Sequence, residues 1–202
     1  MSTSTTTPPR DDEGKFVSKD DQHSNLGLIA GAATAGVALG MLAMLGRKAA
    51  VQAPSMLAGD WADALAAEHK ATLKIFDALE ATEARNTTKR AILLAQLKHA
   101  LAKHAIEEEN VIYPALREAG KIEQADELNK EHGYVKQYLY ELENMPNDSP
   151  DYLAKVRKFR ADIEEHMTEE ETVLFPALRA QLSEAKNKAL TSAVNKEGFK
   201  VA

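Results

Sequence analysis

The 202-residue sequence predicts an all-α protein, an up-down-up-down four-helix bundle behind an N-terminal apolar helix. Three observations predict it. Apolar residues reach 44% while aromatics stay at 5%, with Ala and Leu dominant, a composition that suits helices better than a β-sandwich. From residue 60 onward, four apolar stripes advance in steps of three and four, the period of one helix face. Short stretches carrying caps, Gly and Pro separate the stripes, and short turns make neighbouring helices antiparallel.

Residues 1–25 are rich in Ser, Thr, Pro and mixed charge without an apolar period, and read as a disordered tail. Residues 26–46 then run for 21 positions without a charge. As a helix they would span about 31 Å, the thickness of a hydrocarbon core of roughly 30 Å. Gly27/Gly31 and Gly36/Gly40 give the small-xxx-small spacing of associating membrane helices. This segment is expected to span or associate with a membrane. The alternative is self-association within a soluble assembly, since five glycines and six alanines add little to insertion. Arg47 and Lys48 follow at once, which places the C-terminal domain on the cytoplasmic side of an anchoring membrane; without the anchor it is cytoplasmic.

Residues 47–59 read as a linker, and 60–182 as the bundle. Asp60 caps a first helix reaching about Thr82, and Asn86 or Thr87 opens a second that Gly120 ends. A third runs from about Ile122 to Asn144, and Ser149-Pro150 supplies an N-cap and N1 proline for a fourth, reaching about Leu182. Residues 183–202 form a C-terminal extension with at most a short fifth helix.

Composition excludes several functions. A net charge of −6 argues against nucleic acid, whose binding needs clustered Lys and Arg. The absence of cysteine removes disulfides, thiolate zinc sites, iron–sulfur clusters and cysteine nucleophiles. Any metal must be held by His, Asp, Glu or Tyr.

The stripes themselves carry the chemistry. They read Leu65, His69, Thr72, Phe76, Leu79; then Leu94, Leu97, Leu101, His104, Glu108, Val111, Ala115; then Leu128, His132, Val135, Leu139, Leu142; then Val156, Phe159, Ile163, His166, Glu170, Val173, Ala177. One core histidine is ordinarily a satisfied packing residue. Here every helix has one, and two helices add a glutamate one turn later. A buried carboxylate costs several kcal/mol unless paired or metal-bound, and no Arg or Lys shares these stripes.

The pattern is also duplicated. Residues 104–117, HAIEEENVIYPALR, align without gaps on 166–179, HMTEEETVLFPALR, with nine of fourteen identical. The offset is 62 residues, and His69 to His132 repeats at 63. The chain is therefore two copies of one helical hairpin. Residues i and i+4 stack on one helix face, so each His-x-x-x-Glu aims two donors at one interior spot. Four imidazoles and two carboxylates exceed the needs of tetrahedral zinc. They fit two irons bridged by the carboxylates, with two histidines per iron and positions left open for a small ligand; manganese and zinc are the alternatives.

His69, His104 with Glu108, His132, and His166 with Glu170 resemble the hemerythrin-like, or HHE cation-binding, family over about residues 60–180. The resemblance implies a four-helix bundle around a non-haem, oxo- or hydroxo-bridged di-iron centre. It implies a protein that binds or senses oxygen or another diatomic such as nitric oxide. The alternatives are a redox enzyme of peroxide or nitric oxide detoxification, or an iron-handling protein. Oxygen-carrying members have a further histidine four residues after the third-helix ligand, where this chain has Lys136. Glu107, Glu109, Tyr113 and Tyr134 are the candidates to replace it. Ferritin-like oxidases are disfavoured because no Glu-x-x-His pair occurs, and a zinc hydrolase because no stripe carboxylate remains as general base.

Other features read as structural. His99 lies about 140° round the helix from His104 and is expected to be solvated, and His23 falls in the tail. The remaining acids of Glu107–Glu109 and Glu169–Glu171 are expected on solvated faces. Pro114 and Pro176 should kink or end their helices. Trp61 is expected to pack.

Overall fold

A computed structural model describes residues 44, 46, 48, 51, 52 and 55–202. The 1–25 tail lies outside the described residues, as does the apolar segment 26–46 apart from Met44 and Gly46. Among the described residues no helix is long and apolar enough to cross a membrane, and none forms a strand.

Asp60 caps α1 (Trp61–Glu80), its carboxylate accepting from the Ala62 and Asp63 amides. α2 (Thr87–Glu107) continues through a π-helical segment, Glu108–Ile112, into α3 (Tyr113–Glu118). Gly120 ends this rod at φ +82°. Its amide donates to Arg117 O and the Lys121 amide to Leu116 O, the Schellman arrangement that needs a left-handed residue. α4 spans Ile122–Glu143. α5 (Tyr152–Glu169) passes through a second π segment, Glu170–Leu174, into α6 (Phe175–Gln181). The last rod starts two residues later than Ser149-Pro150 implied. The Tyr152 amide donates to Ser149 O, so Pro150 sits inside a turn, and Asp151 is the N-cap without a side-chain cap bond.

Pro114 and Pro176 neither end nor break their helices. Each resumes an α segment after a π turn, in which the Tyr113 and Phe175 amides reach back to Glu108 O and Glu170 O. Proline lacks an amide and crowds the carbonyl four residues back, and the wider turn absorbs both defects. The extra residue also shifts the helix phase. Val111 and Val173 were expected in the core, but Ile112 and Leu174 take those places, and Val173 is 55% exposed.

α1 packs on α2 and α5, and α4 packs on α2, α3 and α5. Two apolar clusters fill the bundle. One joins Trp61, Leu65, Ile112, Leu128 and Phe175; the other joins Phe76, Leu97, Leu139, Val156 and Phe159. His69, His104, His132 and His166 each lie between members of the two clusters along their own helix. The ionisable side chains therefore form a layer between two apolar blocks.

The C-terminal extension is a full helix, α7 (Glu184–Val201), capped by Ser183, and not a short one. It packs on α1, α2 and the first π segment. Trp61 is buried against Phe175, as packing required, and its indole N–H donates to Asn187 Oδ1 at 3.0 Å. The 47–59 stretch, expected as a plain linker, is helical at 48, 51, 52 and 55–57, with Gln52 and Ser55 buried. At Gly198, α7 comes so close that an added Cβ would lie 1.7 Å from Glu107 Oε1 and 2.6 Å from Gln52 Oε1. Gly198→Ala should thus cost about 1–3 kcal/mol by overpacking and lower the melting temperature. An unchanged thermal transition would refute this close contact.

Candidate metal centre

The structure brings all six predicted side chains together. His69 Nε2 and His104 Nε2 stand 2.9 Å apart, close to the ~3.0 Å between two neighbouring ligands each about 2.1 Å from one ion. Ligand atoms of His69, His104, Glu108 and Glu170 all lie within 4.8 Å of one another, as do those of Glu108, His132 and His166. Glu108 straddles the two groups, with Oε1 3.2 Å from His104 Nε2 and Oε2 3.3 Å from His132 Nε2. Glu170 Oε2 does the same, 3.5 Å from His69 Nε2 and 3.4 Å from His166 Nε2. Both carboxylates have no solvent exposure.

These donors fit a metal. Glu108 Oε1, Glu170 Oε2 and His166 Nε2 are buried polar atoms without a hydrogen-bond partner among the described residues, the expensive condition a cation relieves. Left to themselves, the side chains treat the two carboxylates unequally. Burial and repulsion from Glu108 push Glu170 well above the usual range. Glu108 is held well below it by His104, against its own burial. His104 is raised by Glu108 and Glu68 despite burial, whereas burial and then His104 lower His69. A doubly charged ion would offset the burial and the repulsion that raise Glu170.

Each imidazole is also oriented from outside. His69 Nδ1 lies 2.8 Å from Glu171 Oε1, His104 Nδ1 3.2 Å from Glu68 Oε2, His132 Nδ1 3.0 Å from Glu109 Oε1, and His166 Nδ1 2.6 Å from Glu131 Oε2. A carboxylate on Nδ1 fixes the tautomer and leaves Nε2 for a metal. From sequence none of these acids was expected on an imidazole: Glu109 stood only as a candidate ligand, Glu171 was placed on a solvated face, and Glu68 and Glu131 went unnoticed. The signal was in the repeat: Glu109 and Glu171 are 62 apart, as are His104 and His166 on the same rods, and Glu68 and Glu131 are 63 apart, as are their chain neighbours His69 and His132.

At one buried position the duplication changes a hydroxyl for a hydrogen. Tyr113 stands where the second copy has Phe175, and its hydroxyl lies 2.9 Å from His132 Nε2, 3.3 Å from Glu108 Oε2 and 3.4 Å from Glu170 Oε1. Of the four candidates to compensate for Lys136, Tyr113 is the one whose oxygen lies beside His132 Nε2 and both inner carboxylates. Tyr134 is 53% exposed, and Glu109 bonds to Lys136 Nζ and His132 Nδ1. Lys136 itself points to solvent.

Glu107, expected on a solvated face, is fully buried beneath α7 beside Lys103 and Glu68, and Ser55 also bonds Glu68. Only Glu169 of the acidic runs is fully solvated; Glu109 and Glu171 are half-buried on their histidines. His99, also expected in solvent, is half-buried with its Nε2 covered. Burial, with Glu68 nearby, raises the Glu107 carboxyl from 4.5 to about 8. A raised acid stabilises the fold fully below its unfolded pKa and loses that contribution as pH climbs through its folded one. Glu107→Gln should therefore match the parent near pH 5 and melt higher than it near pH 9. Melting curves of both proteins across that range check this; a constant offset would overturn it.

Fold and site together define a helical-bundle protein with a histidine–carboxylate centre for metal ions. The chain belongs to the hemerythrin HHE cation binding domain family, whose model matches residues 61–178. It is 32% identical over 96 residues to an uncharacterized hemerythrin-like protein of Schizosaccharomyces pombe, covering 46% of this chain and 47% of that one. It is 31% identical over 88 residues to a DNA nickase of Nostoc sp., covering 44% of this chain and 25% of that one. The chain thus spans about half of the first relative and a quarter of the second. No solved structure matches it.

Proposed function

We propose that the chain is a non-haem di-iron protein that binds or senses oxygen or another diatomic such as nitric oxide, built on an up-down-up-down four-helix bundle. The observation that carries this reading is the pair of straddling carboxylates, Glu108 and Glu170, each within 3.5 Å of one histidine from either half. His69 and His104 would hold one ion and His132 and His166 the other, with the two glutamates shared. Bound iron would supply reversible one-electron chemistry and open coordination positions. The chain's own part is orientation and exclusion of water: four outer carboxylates hold the imidazoles, and two apolar blocks seal the layer above and below.

Tyr113 makes the halves inequivalent. Its hydroxyl sits on the His132 side, where Lys136 replaces a histidine of oxygen-carrying relatives, so that side offers a tyrosine oxygen in place of an imidazole. This asymmetry also favours a second reading, a redox enzyme of peroxide or nitric oxide detoxification. The reading retains an anchor at residues 26–46 with the bundle on the cytoplasmic side; carbonate-washed membranes should keep the full chain and release one starting at Arg47. For the ligand, anaerobic reduction followed by oxygen should give a visible absorption that reverses on deoxygenation. Steady turnover of peroxide or nitric oxide above a His104→Ala background would favour the enzyme. One zinc per chain after iron-replete expression would end both readings.

A further inference from the structure

A cavity of about 330 Å³ opens between α2, α4 and α5 and ends on the rings of His104, His132 and His166. Its walls are apolar, formed by Leu101, Val135, Leu139, Ile163 and Met167. It stays open because α2 presents Ala102 and Ala105 there, side chains too short to fill the gap to α4. A diatomic ligand, comparable to a water with its share of roughly 30 Å³, would leave most of this volume empty. The size instead falls within the range of organic-ligand sites, about 300–1,000 Å³.

Charge at the mouth narrows the class. Lys98 Nζ donates to Glu143 Oε1 at 2.7 Å, and Lys136 Nζ donates to Glu109 Oε1 at 3.0 Å. Each cation at the rim thus has its own carboxylate, which leaves no unpaired charge to recognise an acid. The inner end is different: the nitrogens of its imidazoles are taken up by the outer carboxylates and the inner donors, so it is the open coordination positions of the proposed centre that would favour one electron-pair donor. We propose that this cavity binds a neutral, apolar organic molecule carrying a single hydroxyl group, with its hydrocarbon body against the walls and its oxygen at the histidine end. The placement of the oxygen rests on the di-metal reading; the binding of the hydrocarbon body rests on the cavity alone.

The test uses the full chain as purified, with 2-phenyl-2-propanol as probe and 4-isopropylbenzoate as its charged counterpart. Calorimetry should give saturable binding of the alcohol, at least tenfold tighter than of the carboxylate. Ala102→Phe should weaken it at least tenfold while metal per chain stays at the parental level. Val135→Phe serves the same purpose should the first variant lose its helical circular dichroism. Absence of saturable binding to a metal-loaded chain overturns the proposal, as does equal affinity for the carboxylate or unchanged affinity in the filled variants. Equal affinity for the alcohol in the metal-loaded and the chelated chain overturns the placement of the oxygen and leaves the hydrocarbon site standing, while absence of iron after iron-replete expression overturns the di-metal reading by itself.

Discussion

Replacing Glu108 and Glu170 together with glutamine is expected to strip the protein of transition metal. Both carboxylates are fully buried and both lie between the two histidine pairs, so the double change weakens both positions at once. Outer-layer changes around metal sites already cost about 10–100-fold in affinity, and loss of two shared inner ligands should exceed that. Glutamine keeps the volume, so the bundle should survive with its helical signal intact. Elemental analysis after iron-replete expression reads the result directly. Metal content equal to the parent would mean that the ions, if any, sit elsewhere.

Chelation is expected to destabilise the parent protein by a similar route. With ligand at about a thousand times its dissociation constant, binding to the folded state alone contributes about 4.1 kcal/mol. For a chain of this size each kcal/mol moves the melting temperature by roughly 2–4 °C. Removal of the ion should thus lower the transition by roughly 8–16 °C, and the Glu108→Gln/Glu170→Gln protein should show no such response. An identical transition with and without chelator would separate the centre from folding. The physical origin is the polar layer itself: buried Glu108 Oε1, Glu170 Oε2 and His166 Nε2 lack partners without a cation.

Much of this was legible in the sequence. Asp60 and Gly120 fixed two helix ends because a side-chain cap and a left-handed glycine are local devices that need no tertiary context. The six inner donors were legible because they interrupt apolar stripes in register, twice. The π segments were not, since a one-residue insertion leaves no trace in apolar spacing until the phase slips at Ile112 and Leu174. The outer acids Glu68, Glu109, Glu131 and Glu171 escaped because partly covered glutamates look like surface residues when their partners lie on other helices. Glu107 was hidden for a related reason: its cover is α7, whose weak apolar stripe gave little sign of how long it is or where it docks.

The two π segments occupy equivalent places, Glu108–Ile112 and Glu170–Leu174, each followed by a proline at the same offset. Independent acquisition would require the same extra residue to enter twice beside the same glutamate. The simpler history has the bulge arise once in an ancestral hairpin, before gene fusion doubled it. Tyr113 and Phe175 then mark where two halves of one chain, unlike two identical chains, are free to differ at equivalent places.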